Sequence, residues 1–157
     1  RLLLHLVDIM PYDESTAGEN AQVIENELRI FSPTMAQGDR WLVLNKLDLL
    51  PDDEVDARCQ EVVDYLDWQG PVFKMSGLAS EGTKDLCAAI MEYIDDHRQQ
   101  ERADPELEEQ AGERRAQMQA EARTRIEELS LQRHQARKQI QIEADDDDSD
   151  IEVVYAE

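Results

Sequence analysis

The sequence predicts an α/β protein of three parallel strands with flanking helices, followed by a helical extension and an acidic tail. Three observations lead there. Short apolar runs end abruptly in polar residues at 2–7, 41–44 and 72–75, as strands buried on both faces do. After each run comes a stretch whose apolar residues recur at helical spacing, and strand-helix alternation favours a parallel sheet with crossover helices. Past about Gln99 the composition turns to Gln, Ala, Glu and Arg, and from Glu143 it is acidic.

Leu2, Leu3, Leu4, Leu6 and Val7 make the first strand, ending at Asp8, with His5 expected to be a packed or edge residue and not a ligand. A loop over 9–18 carries Pro11, Asp13 and Ser15, and a helix follows over about 19–31, with Val23, Ile24, Leu28 and Phe31 on its apolar side. Ser32-Pro33 marks its end or the turn after it. The central strand contains Trp41, Leu42, Val43 and Leu44. Beyond it, Pro51-Asp52-Asp53-Glu54 opens an acidic helix start, which suits the positive end of the helix dipole. Val55, Cys59, Val62, Val63 and Leu66 give this helix its stripe. Gly70-Pro71 is a turn, Val72 to Met75 the third strand, and a helix over about 83–97 turns Leu86, Ile90 and Ile94 inward.

The organisation is therefore residues 1–98 as the globular part, 99–142 as a charged helical extension and 143–157 as a disordered acidic tail. In 101–142 nine acids face eight bases, and Met118, Ala122, Ile126, Leu129, Ala136 and Ile140 form a thin stripe interrupted by Arg133. That pattern reads as a marginal, partner-dependent helix rather than a stable coiled coil. From Glu143 onward there are eight acids and no base, the composition of disorder. The alternation Ile151-Glu152-Val153-Val154-Tyr155 could add as a strand to a partner.

Charge restricts the partners. The chain has 157 residues, 37 acidic and 16 basic, for a formal net charge of −21. That argues against a broad nucleic-acid footprint and against an anionic membrane surface. No apolar run reaches membrane-spanning length and no secretory leader is visible, so no membrane partner is expected. Cys59 and Cys87 lack metal-ligand spacing and read as reduced, packing cysteines of a cytoplasmic protein. The chain starts at Arg1, straight into an apolar strand, which reads as a piece of a longer protein.

The chemistry concentrates at Asn45-Lys46-Leu47-Asp48, where the central strand ends. Open parallel sheets bind ligands at the carboxyl ends of their strands. There the Asp48 carboxylate can accept both N–H groups of the guanine edge, the ring N1–H and the exocyclic amine. Adenine would leave it unpaired. The aliphatic stem of Lys46 can lie along the base, and the Asn45 amide can tie neighbouring loops together. A second loop, Ser76-Gly77-Leu78, follows the third strand and can offer a backbone N–H to the guanine carbonyl. Gly77 through Lys84 imitates a phosphate loop, but Thr83 precedes Lys84 where that loop needs Lys first, and Glu81 would set negative charge beside the phosphates. A helix entry with Ser80 or Thr83 near its cap is the better reading.

Asn45-Lys46-Leu47-Asp48 resembles the guanine-specificity motif of the GTPase superfamily, and Ser76-Gly77 its Ser-Ala motif with Gly for Ala. More closely, residues 1–100 resemble the carboxyl half of the GTPase domain of the Obg (CgtA) family. The residues that carry this are Leu4-His5-Leu6-Val7-Asp8, Glu19-Asn20-Ala21, Arg40 to Leu50 and Asp85-Leu86-Cys87, with an acidic tail ending near Val154-Tyr155. The resemblance implies a partial P-loop GTPase-type three-layer fold, GTP or GDP as ligand and Asn45, Lys46, Asp48, Ser76, Gly77 and Leu78 as guanine-binding residues. It also implies GTP hydrolysis and a role with the large ribosomal subunit in its assembly; separately, the charge of the acidic tail would attract basic ribosomal proteins. The family's phosphate loop, switch regions and magnesium ligands have no counterpart here. No catalytic residue and no metal ligand is therefore assigned to this chain, and Mg2+ ligands are expected upstream of it. The competing reading is a non-enzymatic interaction protein whose acidic arm captures basic partners.

Overall fold

A computed structural model describes the backbone of residues 2–147 and the side chains of residues 2–139. Its elements are β1 (Leu2–Asp8), α1 (Ala17–Phe31), α2 (Pro33–Ala36), β2 (Asp39–Asn45), α3 (Asp52–Tyr65), β3 (Val72–Lys74), α4 (Thr83–Ala103) and α5 (Pro105–Asp147). A short 3-10 turn, Leu47–Leu49, sits between β2 and α3. The strands form one parallel sheet in the order β1-β2-β3, with Leu6 opposite Val43, Val7 opposite Leu44 and Val43 opposite Phe73. The expected α/β architecture of three parallel strands between helices is present.

The strand pleat sends alternate side chains to opposite faces. Val7, Leu42 and Leu44 pack with Ala17 and Ala21 of α1 and Cys59 and Val62 of α3. On the other face Trp41 and Val43 meet Leu86, Ile90 and Tyr93 of α4, with the Trp41 and Phe73 rings stacked 5.0 Å apart. Leu42, Val43 and Leu44 are wholly buried because β2 is central and covered on both sides. β1 has a sheet neighbour on one side among the described residues, and Leu6 on the α4 side is exposed.

Several expectations are corrected. α1 begins at Ala17, two residues early, because Thr16 and Glu19 form a reciprocal capping box. Thr16 N–H donates to Glu19 Oε2 at 2.8 Å and Glu19 N–H to Thr16 Oγ1 at 3.2 Å. Its buried side is Ala17, Gly18, Ala21 and Glu25, whereas Val23 and Ile24 are exposed. Small residues face inward because the helix runs close to its neighbours: a Cβ on Gly18 would lie 2.7 Å from the Tyr65 ring. Cys59 is buried but Cys87 is exposed, so only the first is a packing cysteine. The helix entry expected at Gly82 is present: Gly82, at φ 68°, is the cap of α4 and Thr83 its first residue, with no side-chain capping bond. His5 is buried as expected, and that burial, then Arg40, lowers its pKa.

The largest departure is the extension. α4 runs on to Ala103, and the chain turns at Asp104, extended as a residue before proline prefers, while Asp104 Oδ1 accepts the Glu106 N–H at 3.0 Å. Then α5 continues for 43 residues. Its first part is no free helix. Leu107, Ala111 and Met118 line a cavity of about 480 Å3 together with Leu2, Leu3 and Met35. Glu121 then reaches the start of α2, accepting from Ser32 Oγ at 2.5 Å, Thr34 N–H at 3.1 Å and Thr34 Oγ1 at 2.6 Å. Up to Glu121 this helix packs against the chain's own body. Residues 143–147, expected as tail, still belong to α5, and the remaining tail lies outside the described residues.

Candidate functional site

The three strands deliver their carboxyl ends side by side, and backbone bonds lock the loops that follow. Ile9 N–H donates to Asn45 O at 3.0 Å, Met75 N–H to Leu44 O at 2.8 Å and Leu47 N–H to Met75 O at 3.4 Å. The chain leaves β2 by turning sharply at Lys46, in the left-handed region at φ 65°. That turn sends Asn45 and Lys46 to different neighbours before Asp48 enters the 3-10 turn.

Asn45 sits at the centre. Its amide donates from Nδ2 to Asp8 Oδ1 at 3.3 Å and accepts the Gly77 N–H on Oδ1 at 3.1 Å. One side chain thus joins the end of β1 to the loop after β3, the tying role expected from the sequence. Ser76 is completely buried: its Oγ donates to Asp48 Oδ1 and accepts the Ala79 N–H at 3.0 Å, while its own N–H goes to Glu81 O at 3.0 Å. The Asp48 side chain is otherwise open to solvent, and its second oxygen has no partner among the described residues.

Lys46 is held by residues the motif did not include. Its Nζ lies 2.7 Å from Asp8 Oδ2 and 3.3 Å from Tyr12 OH, and 4.4 Å from the centre of the Tyr12 ring. The hydrogen bond to Asp8 first, and that to Tyr12 second, raise the ammonium's pKa. A polar residue ending β1 was the available signal for Asp8. Nothing in the sequence pointed to Tyr12, a loop residue 34 positions away.

Of the six expected site residues, Asn45, Lys46, Asp48, Ser76 and Gly77 converge. Leu78 follows on the same loop and is 88% exposed. A Cβ on Gly77 would lie 3.6 Å from Asn45 Oδ1, ordinary contact, so alanine fits this position. The arrangement presents an open carboxylate, an aliphatic stem and a loop backbone at one edge of the sheet, groups with the chemistry to accept from adjacent donors and to lie against an apolar surface.

The residues here do not fit a divalent metal. Asp8 is engaged by Lys46 and Asn45, Asp48 by Ser76, and no group of three or more His, Cys, Asp or Glu side chains is placed to hold one among the described residues. No helix there is long and apolar enough to cross a membrane. The sequence matches no known protein-family model.

Proposed function

We propose that residues 1–98 are the guanine-selecting half of a GTPase domain of the Obg type, in a GTP-binding protein of large ribosomal subunit assembly. One observation carries the reading. The Asn45 amide joins the end of β1 to the loop after β3, and Ser76 of that loop holds the Asp48 carboxylate. A chance Asn-Lys-x-Asp on an exposed loop has no reason to be cross-linked to a Ser-Gly turn 28 residues away.

Base selection follows from donor and acceptor patterns. Asp48 accepts the N1–H and the exocyclic amine of guanine, and Ser76 Oγ keeps the carboxylate in one rotamer. Lys46, with its ammonium pinned by Asp8 and Tyr12, lays its methylenes against the base. The Gly77-Leu78 backbone faces the guanine carbonyl oxygen, and since Gly77 N–H already serves Asn45, Leu78 N–H is the available donor. Because no magnesium site fits here, no step of phosphoryl transfer is assigned to these residues. Hydrolysis in the whole protein requires cradled phosphates and a metal from another segment.

The test is a nuclear magnetic resonance titration of residues 1–157 with GDP, IDP and ADP. GDP is expected to shift the amides of 45–48 and 76–78, IDP to do so more weakly because it lacks the exocyclic amine, and ADP to leave them unmoved. Equal responses to GDP and ADP would refute the reading.

A further inference from the structure

Tyr12 is 92% exposed, yet the loop that carries it is fastened on both sides. Before it, Ile9 is buried with its N–H held by Asn45 O, and Pro11 has its φ fixed by its ring. After it, Asp13 Oδ1 accepts the Ser15 N–H at 3.1 Å, an Asx turn, and the Thr16–Glu19 capping box opens α1. Between these fixed points Tyr12 reaches the turn after β2, 34 residues away. Its hydroxyl lies 3.3 Å from Lys46 Nζ and its ring centre 4.4 Å, inside the roughly 6 Å reach of a cation–π contact.

We propose that Tyr12 is a positioning residue for the base: together with Asp8 it holds the Lys46 ammonium, so that the lysine stem is set before nucleotide arrives. Tyr12 lies outside the Asn-Lys-x-Asp motif, and its role rests on the guanine-selecting reading above. A lysine stem is flexible, and ordering it costs rotamer freedom. Where the ammonium is already held, that freedom is lost in the free protein and not on binding. Asp8 supplies the shorter contact, at 2.7 Å. Its other oxygen accepts from Asn45 Nδ2 at 3.3 Å, so removing Asp8 would loosen Asn45 as well. Tyr12 makes no hydrogen bond or ring contact with Asn45, Asp48, Ser76 or Gly77 among the described residues, so its effect on the base runs through Lys46. A cation–π contact at an exposed site corresponds to about a two- to fivefold change in an equilibrium constant.

Nuclear magnetic resonance of residues 1–157 tests this with the native chain and with Tyr12→Ala, Tyr12→Leu and Tyr12→Phe. Alanine removes ring and hydroxyl, leucine keeps apolar bulk without a ring, and phenylalanine keeps the ring. Without nucleotide, the Lys46 ε-methylene protons are expected upfield in the native chain and in Tyr12→Phe relative to the other two, because an aromatic ring shields protons above its face. GDP is then titrated and followed at amides 45–48 and 76–78. Tyr12→Ala and Tyr12→Leu should bind about two- to fivefold more weakly, and Tyr12→Phe within about twofold of the native chain. Melting followed by circular dichroism should be unchanged, since the side chain is exposed. Lys46 protons that resonate alike in the native chain and in Tyr12→Ala would overturn the clamp before any nucleotide is added. GDP affinity that is equal or tighter in Tyr12→Ala would overturn the positioning role and leave the guanine reading standing. No response of the native loops to GDP would remove that reading, and the role of Tyr12 with it.

Discussion

On the proposed reading Asp48 is the residue on which base choice turns, since its carboxylate would accept from both guanine donors. In an intact GTPase carrying these loops, Asp48→Asn is expected to weaken GTP at least tenfold and to favour xanthine nucleotides, whose carbonyl accepts from the new amide. A hydrogen bond to a charged group is worth roughly 1.5–3 kcal/mol, which sets that scale. A nucleotide titration with unchanged GTP affinity would refute the assignment. The two glycines of the second loop should behave oppositely. Gly77 has no positive φ and room for a methyl group, so Gly77→Ala should stabilise the fold by about 0.4–1 kcal/mol through the unfolded chain. Gly82 sits at φ 68° with its missing Cβ 2.1 Å from Lys74 O, so Gly82→Ala should destabilise by roughly 1–3 kcal/mol or more. Urea denaturation of the two variants compares them directly, and the same sign for both would contradict the loop geometry.

At the level of elements, the docking of α5 rests on a carboxylate that acid can discharge. The Glu121 pKa is held below the ordinary Glu value, first by the Ser32 hydroxyl and then by Thr34. A depressed folded-state pKa contributes stability that is present above the unfolded value and lost as pH falls through the folded one. The latch is therefore complete at pH 7 and is lost as pH falls through a value below the ordinary Glu range. Hydrogen exchange of amides 107–121 should be slower in the native chain than in Glu121→Ala at pH 7, and the gap should close in acid. A gap independent of pH would mean that apolar contacts around Leu107 and Met118, and not the carboxylate, hold the helix. The long range of this contact explains why it was invisible in the sequence. Glu121 lies 89 residues from Ser32, and its neighbours spell only a solvent-exposed helix of Ala, Gln and Arg. The capping box at Thr16-Ala17-Gly18-Glu19, by contrast, is written in four consecutive residues, yet it went unread and the helix was expected to begin at about Glu19.

For the whole molecule, the base loops alone make a poor nucleotide site. Contacts to guanine without a phosphate cradle must overcome the entropy of association, so residues 1–157 should bind GTP with a dissociation constant of about 1 mM or weaker. They should also show no hydrolysis. Micromolar binding in a calorimeter would show that the base loops suffice. By itself the sequence determined the three parallel strands, the helices between them and the position of Asn45, Lys46, Asp48, Ser76 and Gly77 at strand ends. Those features are local, written in short apolar runs and in the residues where they stop. Only the tertiary structure decided that Asp8 and Tyr12 hold Lys46, that α1 buries Ala17 and Ala21 in place of Val23 and Ile24, and that Glu121 fastens the extension to α2. The physical reason is common to all three. Each depends on how closely segments distant in sequence approach, and packing distance sets that, whereas hydrophobic periodicity records only which residues can be buried.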